Sequence, residues 1–141
     1  MANIIPDAFK SELLSGTHNF ANGGNTFKIA LYTDISGFST SSTAYTTSNE
    51  VSSSGTSYTA GGNALDSQAV SVASNTALVD FADEVFSSVT LSAVGAVIYN
   101  DTNSDKLVVV LDFGGTKTAT NGDFTIQFPA AGASTAIIRI A

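Results

Sequence analysis

Short segments of alternating or β-branched apolar residues recur along the whole chain, separated by clusters of Gly, Pro, Asn, Asp and Ser. Such segments favour strands, because β-branched and aromatic side chains pack well on a pleated surface. A spacing of about ten residues leaves no room for the helices of sequential βα units. The sequence therefore predicts a mainly β chain, either an antiparallel β-sandwich or a jelly-roll-like barrel. The predicted strands are residues 27–33, 64–73, 76–82, 96–100, 107–113, 123–128 and 135–140.

Two pairs of these segments predict hairpins. Ser74 and Asn75 form a short polar turn between the segments 64–73 and 76–82, and residues 101–106 separate two segments rich in valine and isoleucine. The second hairpin is expected at the centre of a sheet, because both of its strands are rich in β-branched residues. Residues 85–94 fit a strand only in part.

One short helix is predicted at residues 5–14. Pro6 suits the first helical position, Asp7 complements the positive end of the helix dipole, and Gly16 suits the stop. Ile5, Phe9 and Leu13 would form one apolar stripe. A helix of about ten residues is marginal alone, so this stripe must dock on its own sheet or on a neighbouring molecule.

The segment 36–62 is almost wholly Ser, Thr, Gly, Ala and Tyr, with Glu50 as its single charge. Disordered linkers draw on charge and proline for solvation, whereas Thr and Tyr favour extended pairing, so this segment is expected to pair or dock. Residues 50–62 are predicted to form a strand and turn of the domain, and residues 36–49 an arm that reaches a neighbour. The 141 residues fit a single domain.

Composition excludes several classes of protein. A formal net charge of -7 with only five scattered basic residues argues against nucleic-acid binding, which needs a clustered cationic face. The chain has no cysteine for disulfides or thiolate metal sites, and no apolar run long enough to span a bilayer. Its start lacks the basic and apolar regions of a secretory signal, so synthesis in the cytosol is expected. The basic residues are Lys10, Lys28, Lys106, Lys117 and Arg139.

Several polar groups invite a catalytic or metal-binding interpretation. His18 is the only histidine, but no serine has the GxSxG context of a nucleophile elbow, and one histidine cannot form a histidine-rich metal site. We therefore predict a hydrogen-bonding role for His18 in its loop. The acids Asp80, Asp83 and Glu84 could form a glycosidase pair, but an outward strand residue followed by a solvated acidic turn is favoured.

The turn at residues 101–105 matches part of a calcium loop. Asp101, Asn103 and Asp105 have the spacing of the first three ligands, and Asp112 falls at the twelfth position. Lys106 stands where that loop needs glycine, and a strand follows at once, so a plain hairpin turn is predicted. The pairs Gly61–Gly62 and Gly114–Gly115 lack a phosphate-binding context and are predicted to lie at bends. No catalytic, cofactor or metal residue is assigned.

Five stretches of this chain resemble a family of small virion proteins encoded by tailed bacteriophages and prophages. They are FKSELLSGTHNF (9–20), FKIALYT (27–33), EVSSSGTSYTAGG (50–62), GAVIYN (95–100) and DFTIQFP (123–129), and the resemblance covers nearly the whole chain. It implies a structural protein of the particle, and the favoured interpretation is a capsid cement or decoration protein on the head surface. The implied partner is the major capsid protein, and the implied assembly is a homo-oligomer, most often a trimer.

Two alternatives stay open at the level of sequence. The protein could be another virion component, such as a head fibre base, a neck protein or a tail protein. It could also be a carbohydrate-binding module that stacks sugars on its tyrosines, Tyr32, Tyr45, Tyr58 and Tyr99. If it is a cement, removing residues 5–14 or replacing the segment 36–62 is expected to abolish attachment and leave the β domain folded.

Overall fold

A computed structural model describes residues 3–141 of the chain. It is mainly β, with 46% strand and 6% helix, and it contains two antiparallel sheets and one short helix. This is a β-sandwich, and the sheets do not close into a barrel. The elements are α1 (Asp7–Leu14), β1 (Phe27–Tyr32), β2 (Asn63–Ala64), β3 (Ala69–Ala73), β4 (Thr76–Asp80), β5 (Glu84–Asn100), β6 (Lys106–Ile126) and β7 (Ile138–Ile140).

The two sheets have simple orders. The larger sheet, sheet A, has the order β2-β1-β5-β6, and the smaller sheet, sheet B, has the order β3-β4-β7. The predicted hairpin at Ser74 and Asn75 is present as β3 and β4, and both turn residues have positive φ, 48° and 65°. Two consecutive left-handed residues give the tight turn whose twist matches that of the flanking strands.

The strands β5 and β6 form a hairpin much longer than the sequence predicted. Residues 85–94 are continuous with 96–100, and the segments 107–113 and 123–128 belong largely to one strand. The sequence predicts two separate strands here because Gly114 and Gly115 resemble a turn. In the structure the two glycines form an irregularity within the single strand β6. One residue of β5, Val94, faces four residues of β6 at this point, and Gly114 takes a φ of 75°. The hydrogen-bonded ladder continues beyond the two glycines because of this bulge. The alternation of apolar and polar residues in the sequence does not reveal such a bulge.

The centre of sheet A is buried on both faces. On one face Phe27, Ile29 and Ile98 pack in a core that also includes Val79 and Ile138 of sheet B. On the other face a second cluster surrounds Tyr32, Val97 and Tyr99. The prediction that the β5–β6 region lies centrally in a sheet holds for β5, which pairs with both β1 and β6.

The helix is shorter than predicted and docks on its own domain. It begins at Asp7, because Pro6 has an extended ψ of 149° and stands before the first helical turn. Phe9 is almost completely buried against His18 and Phe20, whereas Ile5 is partly exposed. The helix is thus a component of the core. The prediction that the β domain stays folded without residues 5–14 assumed a weakly attached helix, and the burial of Phe9 contradicts that assumption.

The segment 36–49 is a cover for sheet A and does not project as an arm. Phe38 is buried against Tyr32, and the N–H of Leu107 donates to the carbonyl of Thr43 (3.0 Å). The N–H of Tyr45 donates to the carbonyl of Asp105 (2.9 Å), which extends the sheet edge by one bridge. A weakly charged segment suits this place because it closes the second apolar face of the sheet. Residues 50–62 pair with β1 only through an isolated bridge between Tyr32 and Glu50, so the strand predicted there is absent.

Candidate functional sites: two internal polar clusters and an open groove

The first polar cluster is built around Glu50, the single charge of the segment 36–62. Its carboxylate accepts hydrogen bonds from the hydroxyl of Tyr45 (2.5 Å), the hydroxyl of Tyr58 (2.7 Å) and the N–H of Gly61 (2.7 Å). The Tyr58 hydroxyl also accepts from the N–H of Leu31 (3.0 Å), which belongs to β1. This Glu50–tyrosine cluster therefore fastens a loop of small polar residues to the sheet.

The remaining tyrosines complete the same region. The ring of Tyr99 stacks on that of Tyr45 with centroids 4.6 Å apart, and its hydroxyl donates to the carbonyl of Gly61 (2.6 Å). The hydroxyl of Tyr32 donates to the carbonyl of Thr46 (2.5 Å). Burial is the main reason why the pKa of Tyr58 and that of Tyr32 lie well above their ordinary value. Tyr32, Tyr58 and Tyr99 are buried and offer no open ring face for a sugar.

The second polar cluster is centred on His18, whose side chain is fully enclosed. Its Nε2 donates to the Glu12 carboxylate (2.8 Å), and its Nδ1 accepts from the side-chain amide of Asn100 (3.0 Å). The orientation of that amide follows from its oxygen, which accepts from the N–H groups of Thr102 and Asn103. Both ring nitrogens are thus occupied, and neither is left to activate a serine.

The electrostatics of His18 favour its neutral form. Burial lowers the pKa of His18 below 6.5, and the nearby Glu12 carboxylate opposes this shift without cancelling it. Glu12 itself lies 3.8 Å from the ammonium group of Lys106. A second proton on the ring would point an N–H at the donating amide of Asn100. The cluster joins α1, the β5–β6 turn and the loop between α1 and β1 (residues 15–26, the first loop), and its chemistry is that of a structural anchor.

Several of the acidic residues considered from the sequence have structural partners in the fold. Asp83 accepts from the N–H of Phe128 (2.8 Å), and Glu84 accepts from the side-chain amide of Asn63 (2.9 Å). The side-chain amide of Asn103 donates to the carbonyl of Thr17 (2.6 Å), so this residue of the turn at 101–105 is tied to the first loop. Asp101 lies 3.9 Å from Lys28. Within residues 3–141 no group of three or more His, Cys, Asp or Glu side chains could hold a metal ion.

The feature that sequence reasoning missed is an apolar groove of about 330 Å³ between the first loop and sheet B. Its walls include Leu13 and Phe20 on one side and Val70, Ala77 and Ile140 on the other. Cross-strand register places Val72, Ala77 and Ile140 in one row of the sheet face that carries the groove. Alternation within β3 and β7 was visible in the sequence, but only the packing of the two sheets shows which end of this face stays uncovered.

Exposed aliphatic side chains lie in the groove and beside it. Val72 is 73% exposed, and Val70 and Ile140 are each 54% exposed. Leu14, next to the groove residue Leu13, is 90% exposed. None of these groups offers chemistry for catalysis, and all of them gain from contact with another apolar surface.

Comparisons with known proteins give no relative: no family model, no curated protein and no solved structure matches this chain. No helix among the described residues is long and apolar enough to cross a membrane. The fold and its sites define a β-sandwich protein with internally satisfied polar clusters and an uncovered apolar end on its smaller sheet.

Proposed function

We propose that this protein is a structural component of a tailed-bacteriophage virion, a capsid cement or decoration protein. It binds the outer surface of the head and stabilises the contacts between major capsid subunits. The resemblance of residues 9–20, 27–33, 50–62, 95–100 and 123–129 to small virion proteins supports this class. The proposed site of action is the assembled head surface, after synthesis in the host cytoplasm.

The observation that carries the proposal is the contrast between the inside and the outside of the domain. The polar clusters at Glu50 and His18 are occupied by the protein's own groups. The uncovered end of sheet B instead presents the aliphatic side chains of Val70, Val72 and Ile140. Protein interfaces have cores depleted of charge, and burial of one such side chain contributes about 1.5–3 kcal/mol. A surface of this kind is suited to adhesion.

Repetition on a shell strengthens a weak contact. A capsid presents many equivalent sites, and an oligomer that binds two or more of them gains affinity by effective concentration. The resemblance implies a homo-oligomer, most often a trimer, and this assembly is part of the proposal. Nucleic acid and membranes are not proposed as partners, because the five basic residues are scattered along an acidic chain.

Copy number distinguishes this proposal from the nearest alternative. In purified particles, a cement is expected at a number of copies comparable with that of the major capsid protein. A head fibre base, neck protein or tail protein would occur at a small fraction of that number. Quantitative gel densitometry measures this ratio, and a low ratio would remove the cement assignment while leaving the virion class open.

A binding experiment tests the surface. Heads that lack this protein are incubated with the purified chain, and bound protein is measured after sedimentation. Ile140→Glu is expected to reduce occupancy, because it places a charge in the groove, while the exposed position leaves the fold intact. Val85→Glu is the matched control, since Val85 is also exposed but lies on β5 outside the groove. Equal occupancy of the two variants would show that the groove is not the capsid contact.

A further inference from the structure

The strand β3 is the end strand of sheet B and carries no charged residue. Its five residues read Ala-Val-Ser-Val-Ala, a sequence that is the same in both directions. Among the described residues β3 pairs only with β4, so its other edge is open. Natural proteins protect such edges with charges, proline or bulges, and β3 has none of these within its length.

The hairpin register shows which backbone groups of β3 face this open edge. Ala73 and Thr76 flank the two-residue turn and form its closing hydrogen-bonded pair, so Ser71 and Ala69 also bond to β4. The N–H and C=O groups of Val70 and Val72 therefore point away from β4. These two residues are also the exposed valines of the groove face.

We propose that two copies of this chain associate through their β3 strands, which pair antiparallel about a twofold axis at Ser71. In this register Val70 lies opposite the partner subunit's Val72, and Val72 opposite the partner subunit's Val70. The outward N–H and C=O groups then meet as two hydrogen-bonded pairs, giving four backbone hydrogen bonds. Because the strand reads the same in both directions, each side chain meets a counterpart of suitable size.

The twofold arrangement also extends the apolar surface. An axis perpendicular to the sheet keeps both copies' valines on the same face, where four valines would adjoin Ala77 and Ile140 of each copy.

The charge distribution supports this choice of contact. Each copy has a formal net charge of -7, so two copies repel over most approaches, and the charge-free edge of β3 avoids a like-charge contact.

This inference goes beyond the proposed function and does not rest on it. It assigns a twofold contact to sheet B, whereas the assembly implied by the family resemblance is most often a trimer. A dimer on a shell would still join two attachment points. Its test needs only the purified chain in solution, so its failure is separate from a failure to bind capsids.

Sedimentation equilibrium over a range of concentrations tests the pairing. The apparent mass is expected to rise from 14.4 kDa toward twice that value as concentration increases. Val72→Glu is expected to hold the mass at the monomer value, because it brings two carboxylates to one face of the paired strands. Val85→Glu is the control of equal charge at another exposed valine, and it is expected to dimerise as the natural chain does.

A charge pair tests the register itself. In the double variant Val70→Lys/Val72→Glu, each introduced ammonium group lies opposite an introduced carboxylate of the partner subunit, so the dimer is expected to return. Amide exchange gives a second measurement: the N–H groups of Val70 and Val72 are expected to slow with rising concentration, whereas that of Ser71 is expected to stay unchanged.

Three results would overturn the proposal. The first is a mass that stays monomeric at all concentrations, which would leave the edge to another partner such as an extended capsid segment. The second is a trimer whose mass Val72→Glu does not change. The third is a double variant that stays monomeric although circular dichroism shows it folded.

Discussion

Replacing Glu50 by alanine tests whether one carboxylate holds the segment 36–62 on the sandwich. The substitution removes the acceptor of the Tyr45 hydroxyl, the Tyr58 hydroxyl and the Gly61 N–H. Tyr58 is only 3% exposed, so water cannot readily replace the lost partner of its hydroxyl. We expect the loop to loosen and the whole domain to lose stability, since Tyr58 is part of the main core.

The magnitude follows from the three hydrogen bonds. A hydrogen bond to a charged group contributes about 1.5–3 kcal/mol, but three bonds to one carboxylate do not add fully. Glu50 is half-buried, and the Tyr45 side is partly open to water, so that bond is replaced at low cost. The unsatisfied groups at Tyr58 and Gly61 dominate, and we expect a loss of about 3 kcal/mol in the free energy of unfolding. For a domain of this size that corresponds to a fall in Tm of about 6–12 °C.

Urea unfolding followed by tyrosine fluorescence and circular dichroism measures this loss. The chain has four tyrosines and no tryptophan, so tyrosine emission is not obscured. Asp34→Ala is the matched control, because it removes the same charge and one backbone-capping bond at a fully exposed site. If both variants lost the same small amount of stability, the Glu50–tyrosine cluster would not hold the segment in place.

The other predictions concern the core, one backbone position and pH. Phe9→Ala is expected to lower the free energy of unfolding in urea by about 3–5 kcal/mol, because Phe9 is buried against His18 and Phe20. A loss below about 1 kcal/mol would restore the hypothesis of a dispensable helix. Gly62→Ala is expected to prevent folding or to destabilise the protein far more than Gly55→Ala does. Both glycines have positive φ, but only at Gly62 would a Cβ overlap the Ile29 carbonyl. Similar melting curves for the two variants would contradict this. Stability is expected to fall as the pH drops below about 6.5, because burial lowers the folded-state pKa of His18 and the unfolded chain then binds more protons. His18→Gln is expected to flatten the stability profile below about pH 6.5, and an unchanged profile would assign the slope to other groups.

Much of the fold follows from local sequence patterns. The hairpin of β3 and β4 was predicted because Ser74 and Asn75 tolerate left-handed backbone, and both adopt it. The helix was predicted within two residues at its start. The continuity of β5 and β6 was not predictable, because Gly114 and Gly115 carry the same signal in a bulge as in a turn.

The candidate sites were less accessible to sequence reasoning. His18, Asp83 and Glu84 stood out as single residues, but their partners Asn100, Phe128 and Asn63 are distant in sequence. No local pattern pairs an asparagine with a histidine 82 positions away. The Glu50–tyrosine cluster could have been suspected, because one charge among many small polar residues needs a reason for its place.

The sequence by itself determined the class of fold, because alternation, turn residues and the lack of charge on several strands act over a few neighbouring residues. It also indicated that residues 36–62 would pair or dock and would not behave as a solvated linker. Only the tertiary structure decided where this segment lies: the domain uses it to cover the second face of sheet A, with Glu50 as the fastening group. The uncovered end of sheet B is likewise a property of packing, since exposure depends on which surfaces meet and not on the residues of one strand.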